Sequence, residues 1–143
     1  MPLRLLALCL LLLAACEPTK PDPRYELTDD TVRDSATNLT WLRQAGENMS
    51  LERAEAYCTE RGFRLPTVGE LRTLVKKVRV WEALKGKPAI DRVAFPSTPT
   101  VNFWALPEPG ADPKIKGWIV DFSDGTSHNL IQKFETYRVR CVR

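Results

Sequence analysis

The sequence is poor in the residues that most reaction centres draw on. One histidine and four cysteines in 143 residues leave little material for a His-rich metal site or a histidine-driven active site. There is no phosphate-binding glycine loop, no dinucleotide fingerprint, no Gly-x-Ser-x-Gly elbow and no Cys-x-x-Cys pair. Charge of one sign is lacking too. The 21 Lys and Arg against 18 Asp and Glu give a net charge of +3, too small to imply a nucleic-acid partner. No apolar run approaches the about 20 residues that a spanning helix needs, and no repeat recurs. What is present, 43% hydrophobic and 27% charged residues, is ordinary globular composition at a length that allows one domain plus accessories.

The accessories lie at the N-terminus. Arg4 supplies a positive charge, Leu5 to Leu13 is almost continuously apolar, and Leu13-Ala14-Ala15-Cys16 follows. That order defines a secretory signal rather than a membrane span, and its end resembles the bacterial lipobox. Residues 1–15 are therefore expected to be removed as a signal peptide, leaving an acylated Cys16. Two or more acyl chains, at about 0.8 kcal/mol per buried methylene, hold a protein on a bilayer. The lipid bilayer is thus the first expected partner. Glu17 rather than Asp after the cysteine favours the outer membrane of a bacterial envelope. Three prolines in Glu17 to Pro23 make residues 16–24 a lipidated, semi-rigid tether. The folded domain is expected over 25–143.

With Cys9 removed and Cys16 acylated, Cys58 and Cys141 remain, and an exported domain with one such pair reads as a single disulfide. Closing a loop of 83 positions contributes about 4.6 kcal/mol in the chain-entropy account. The competing reading makes Cys58 a nucleophile paired with His128, but no activating constellation surrounds either residue.

The rest reads as α+β. Thr31-Val-Arg33 and Leu39-Thr-Trp41 are β-prone pieces around the turn Asp34-Ser-Ala-Thr-Asn38. Ser50 caps a helix whose stripe is Leu51, Ala54 and Cys58, ended by Arg61-Gly62. Thr67-Val-Gly-Glu70 is a capping box that opens a second helix. Leu71, Leu74, Val75 and Val78 form its apolar face, with Arg72, Lys76 and Arg79 opposite. Pro88 to Pro113 reads as a long loop region interrupted by one strand, Val101 to Ala105. Trp118, Val120 and Phe122 alternate on one face of a strand from Gly117. Ser123-Asp-Gly-Thr126 turns into a partner strand around Ser127 to Gln132. The last strand, Thr136 to Val142, points Tyr137, Val139 and Cys141 inward and Arg138 and Arg140 outward. Asn38-Leu-Thr40 and Asn48-Met-Ser50 match the glycosylation pattern by chance.

The series Thr31-Val-x-Asp34, Leu39-Thr-Trp41, Ala54-x-x-Tyr57-Cys58, Gly62-Phe-Arg-Leu-Pro-Thr67 and Glu70-Leu71 is distinctive. So is the ending, Trp118-x-Val-Asp-Phe-x-Asp-Gly125 followed by Tyr137-Arg-Val-Arg-Cys-Val-Arg143. Together they resemble the C-terminal domain of the Legionella collagen-like adhesin, also called DUF1566, over Thr31 to Arg143. The resemblance implies a C-type-lectin-like fold: two helices packed on small antiparallel sheets, a long loop region, and one disulfide between the first helix and the last strand. The chain departs from the pattern at Phe103-Trp104-Ala105-Leu106, and it has no collagen-like repeat. Glu108-Pro-Gly110 and Trp118-Ile-Val-Asp121 do not reproduce the calcium-ligand motifs of lectins. Calcium needs several convergent oxygens, so no metal or other cofactor is expected.

Two classes of function stay open. One is a surface-anchored module that binds an anionic polysaccharide or another envelope component. Its candidate contacts are Arg72, Lys76, Arg79, Arg138 and Arg140, with Asn102, Trp104 and Glu108 on the long loop. Trp41, Trp104 and Trp118 suit the core better than a sugar platform; Trp81 is the least constrained tryptophan. The other class is a structural subunit of an envelope protein complex, since one fold hosts many functions. An enzyme is not expected. Asp121, Asp124 and His128 share one hairpin, but Asp124-Gly125 serves the turn, and the close cysteine pair of formylglycine-generating enzymes is missing.

Overall fold

The structure, a computed structural model, describes residues 20–77, 79–130 and 134–143. The expected signal segment with Cys9, the expected lipobox at Cys16, and Val78 lie outside these residues, as does Gln132 at the end of the expected hairpin strand.

Asp34 shows how the sequence builds its first sheet. Its carboxylate accepts from the Ala36 N–H at 3.0 Å and from the Thr37 hydroxyl at 2.9 Å. Asn38 closes the turn at φ 62°, the left-handed region that asparagine tolerates. The turn joins β2 (Thr31–Asp34) to β3 (Leu39–Leu42), and β1 (Tyr25–Leu27) pairs antiparallel on the other side of β2. The β-prone pieces are therefore strands, and Tyr25–Leu27 adds one that the sequence reading did not place.

The second sheet runs β4-β8-β5-β6-β7, from β4 (Gly46–Met49), β5 (Asn102–Ala105), β6 (Gly117–Asp121), β7 (Ser127–Leu130) and β8 (Tyr137–Val139). Expected as antiparallel, it is mixed, because β5 and β8 run parallel. Alternation sorts its side chains between two cores. Trp104, Ile119, Val139 and Cys141 meet Leu51, Ala54 and Cys58 of α1 (Leu51–Thr59). Phe103, Ala105, Val120 and Phe122 meet Leu71, Leu74 and Phe95, together with Val32 and Trp41 of the first sheet. The expected one-face grouping of Trp118, Val120 and Phe122 holds. Cys58 and Cys141 are bonded, with Cα atoms 5.4 Å apart, so Cys58 is no free nucleophile.

α1 is capped by Ser50 and ends at Thr59, and Gly62, whose φ of 73° suits glycine, turns the chain away from it. α2 (Val68–Arg72) carries the full capping box of Thr67 and Glu70. It stops well short of the expected end. Leu74 and Val75 close i→i+3 turns, and the Lys76 N–H then leaves to bond Ala89 O at 2.8 Å. Leu74 stays buried without a helix beneath it. A third helix, α3 (Val80–Leu84), was not expected. The described chain is α+β, with three helices rather than two.

The outward placement of Arg140 is also corrected. Arg140 lies just past the end of β8, and Phe95 and Thr98 of the 87–101 stretch cover it. Arg140 is 0% exposed, its guanidinium lying 4.7 Å from the Phe95 ring and 5.7 Å from Phe103.

Candidate functional site

From residue 87 to 101 the chain forms only turns and bends, yet Ala89, Ile90, Ala94 and Phe95 are buried. Asp91 is the pin. Its Oδ1 accepts from the N–H groups of Val93 at 3.0 Å and Ala94 at 2.9 Å, an Asx-type turn. Its Oδ2 accepts from the Asp22 N–H at 2.8 Å and lies 3.8 Å from Lys76 Nζ. One buried carboxylate thus fastens the start of the folded chain, the loop and Lys76.

Beside this pin opens a cleft of about 410 Å³. It is lined by Lys76, Lys77, Arg79, Trp81 and Glu82 from the start of α3 and the stretch before it, and by Lys87, Pro88, Ile90, Asp91 and Arg92 from the stretch after it. Five basic side chains against two acidic ones make it cationic. Trp81 is 43% exposed, with Lys85 Nζ 5.2 Å from its ring. Lys77 makes no ion pair among the described residues, and Lys76 leaves 57% of its side chain exposed. The Arg79 N–H donates to Glu82 Oε2 at 3.1 Å, which fixes the start of α3. Exposed cations around an aromatic face suit carboxylate or sulfate groups carried on a ring-shaped backbone.

The structure divides the expected ligand contacts. Lys76 and Arg79 come together in the cleft, but not as a helical stripe, because α2 ends between Arg72 and Lys76. Arg72 is exposed on α2 outside the cleft lining. None of Arg138, Arg140, Asn102, Trp104 or Glu108 lines the cleft. Arg138 is paired with Glu47 across β4 and β8, with only 19% of its side chain exposed. Arg140 donates to Leu42 O, Arg43 O and Thr98 Oγ1. Trp104 is fully buried, with its indole N–H donating to Met49 O at 2.7 Å. Burial removes Arg140 and Trp104 from any ligand surface. Asn102 is half-buried in β5 opposite Asp121. Glu108 reaches from the loop to accept the Gly69 N–H at 2.6 Å, in the first turn of α2.

Sequence reasoning missed Asp91 and Lys77 and gave Trp81 no role. Asp91-Arg-Val93 carries a weak turn signal, since Asp caps the amide two residues on. Trp81 between Arg79 and Lys85 is an aromatic inside a basic stretch, a pattern legible beforehand. Among the described residues no group of His, Cys, Asp or Glu is placed to hold a metal. Nor is any helix long and apolar enough to cross a membrane.

The family model for the Lcl C-terminal domain matches residues 30–143. No curated protein and no solved structure matches the chain.

Proposed function

This chain belongs to the Lcl C-terminal domain family, and we propose that it is a lipid-anchored envelope module, C-type-lectin-like in fold, that binds an anionic polysaccharide. The observation that carries this is the convergence of Lys76, Lys77, Arg79, Lys87 and Arg92 with half-exposed Trp81 on one cleft. Carboxylate or sulfate groups of the polymer meet the cations through charge-assisted hydrogen bonds, which are stronger than neutral ones. The indole offers an apolar face to the sugar ring, its rim polar and its body not. Acylation at Cys16 keeps the module on the bilayer, and Glu17 directs it to the outer membrane.

The test compares the full chain with Lys76→Ala/Arg79→Ala on a sulfated and on a neutral polysaccharide. Exposed charge-assisted contacts contribute up to about 1 kcal/mol each, so the double variant weakens sulfated binding about tenfold and leaves the fold unchanged. Undiminished binding by the variant overturns the assignment of the cleft.

A further inference from the structure

α3 is the one helix of the described residues that buries no side chain. Val80 is 78% exposed and Leu84 82%, one turn apart on the same side, with Trp81 beside them at 43%. A helix of five residues has no stability of its own, so three apolar side chains presented to water are an expense that burial elsewhere would recover. Lys77, Arg79 and Lys85 surround them in sequence. Apolar and aromatic side chains ringed by cations are the composition of an element that lies in the headgroup region of an anionic bilayer.

The path of the chain sets the orientation. The Asp22 N–H is fixed on Asp91, in the wall of the cleft that α3 borders. Cys16 stands six positions earlier, so fully extended chain separates the two by at most about 20 Å. A domain tethered there carries the cleft and α3 on its membrane-proximal side. From this juxtaposition we infer that α3 is a second, reversible membrane contact: Val80 and Leu84 enter the headgroup region of an anionic phospholipid bilayer and Lys85 meets its phosphates, while Lys77, Arg79 and Trp81 stay with the cleft. The orientation rests on the anchoring proposed above; the composition of α3 does not. The consequence for function is that the cleft opens along the bilayer surface, toward polymers lying on the membrane rather than toward bulk solvent. Each basic residue near an anionic surface raises binding about fivefold.

The experiment uses the full chain carrying Leu84→Cys, labelled with an environment-sensitive fluorophore. It is reconstituted in vesicles of phosphatidylglycerol with phosphatidylethanolamine, and separately in phosphatidylcholine alone. In the anionic vesicles the label blue-shifts and is quenched by brominated acyl chains. Lys85→Glu, outside the cleft, reduces that response about fivefold or more. A label at Glu55→Cys, on α1 across the central sheet, stays aqueous throughout. An unshifted label at 84 in the anionic vesicles overturns the inference. So does a shift of equal size in buffer without lipid, which makes a second copy of the chain the occupant. Intact mass of the same sample reads acylation independently. Unacylated protein mixed with the same vesicles still reports on α3, so loss of the anchor and loss of the contact are separate results. Binding of the polysaccharide by Leu84→Ser, measured alongside, separates the cleft from the helix face.

Discussion

Arg140 Nη2 donates to Thr98 Oγ1 at 2.9 Å, with both residues buried. The same guanidinium donates from Nη1 to Leu42 O at 3.1 Å and Arg43 O at 3.0 Å. One side chain just past the end of β8 therefore ties the end of β3 to the irregular 87–101 segment, the segment that forms half the cleft. No carboxylate balances it among its hydrogen-bond partners. Burial, and after it the charge of Arg138, push its pKa down to about 9.

Arg140→Ala leaves two carbonyls and a hydroxyl without their donor and opens a cavity under Phe95. A loss of roughly 3 kcal/mol follows from these combined costs, read as a lowered urea midpoint. The folded protein keeps its affinity for the polyanion. A variant with native stability and lost binding would return Arg140 to the ligand surface.

Reducing the Cys58–Cys141 bond, or replacing both residues with serine, costs about 2–5 kcal/mol. Peptide mapping without reductant recovers the linked pair. Two free thiols in the exported protein would contradict the architecture of the α1 core.

Acid weakens the fold through two carboxylates. Burial pushes Asp34 up, but the Arg24 guanidinium, the Thr37 hydroxyl and the Ala36 N–H outweigh it and hold it below the usual range. Hydrogen bonds from Arg64, then the Thr67 N–H, hold Glu70 down against burial. A group whose folded pKa is depressed stabilises above its unfolded value and loses that contribution as pH falls through the folded one. Stability is therefore flat down to the ordinary carboxylate range and declines below it. Asp34→Asn flattens that decline, as thermal melts across pH will record. On the alkaline side burial raises Tyr25 to about 12. Its contribution is complete below pH 10 and is lost as pH rises through about 12.

Removing the cap of α2 is a local test. Thr67→Ala deletes the acceptor of the Glu70 N–H and costs about 1 kcal/mol. Glu108→Ala frees the Gly69 N–H and lowers stability by less, since that site is exposed. Neither change alters polyanion binding, because neither residue lines the cleft.

Much of this was legible in the chain. The Asp34–Asn38 turn, the Ser50 and Thr67 caps, the break at Gly62 and the alternation in 117–122 are local signals, and local backbone chemistry decides them. Cys58 and Cys141 were legible by elimination. The rest depended on what covers what. Arg138 and Arg140 alternate with Val139 as outward residues should, but period-two patterning cannot tell a face left to solvent from one that a distant segment covers. The stripe Arg72, Lys76, Arg79 has helical spacing, yet Ala89 O takes the Lys76 N–H and ends the helix's reach. Asp91 acts through partners as far away as Asp22, a separation of 69 residues, and no local pattern carries that.

The central claim is that cations in the Lys76–Arg92 cleft carry the binding of an anionic polysaccharide. Calorimetric titration of the full chain with a sulfated polysaccharide, from low to moderate salt with and without a calcium chelator, tests it most directly. Exposed charge pairs are screened over about 8 Å at physiological ionic strength. Affinity should fall steeply with salt, be indifferent to the chelator, and show a shallower salt slope in Lys76→Ala/Arg79→Ala. Salt-insensitive binding of a neutral sugar, abolished by chelation, would contradict both the site and its chemistry.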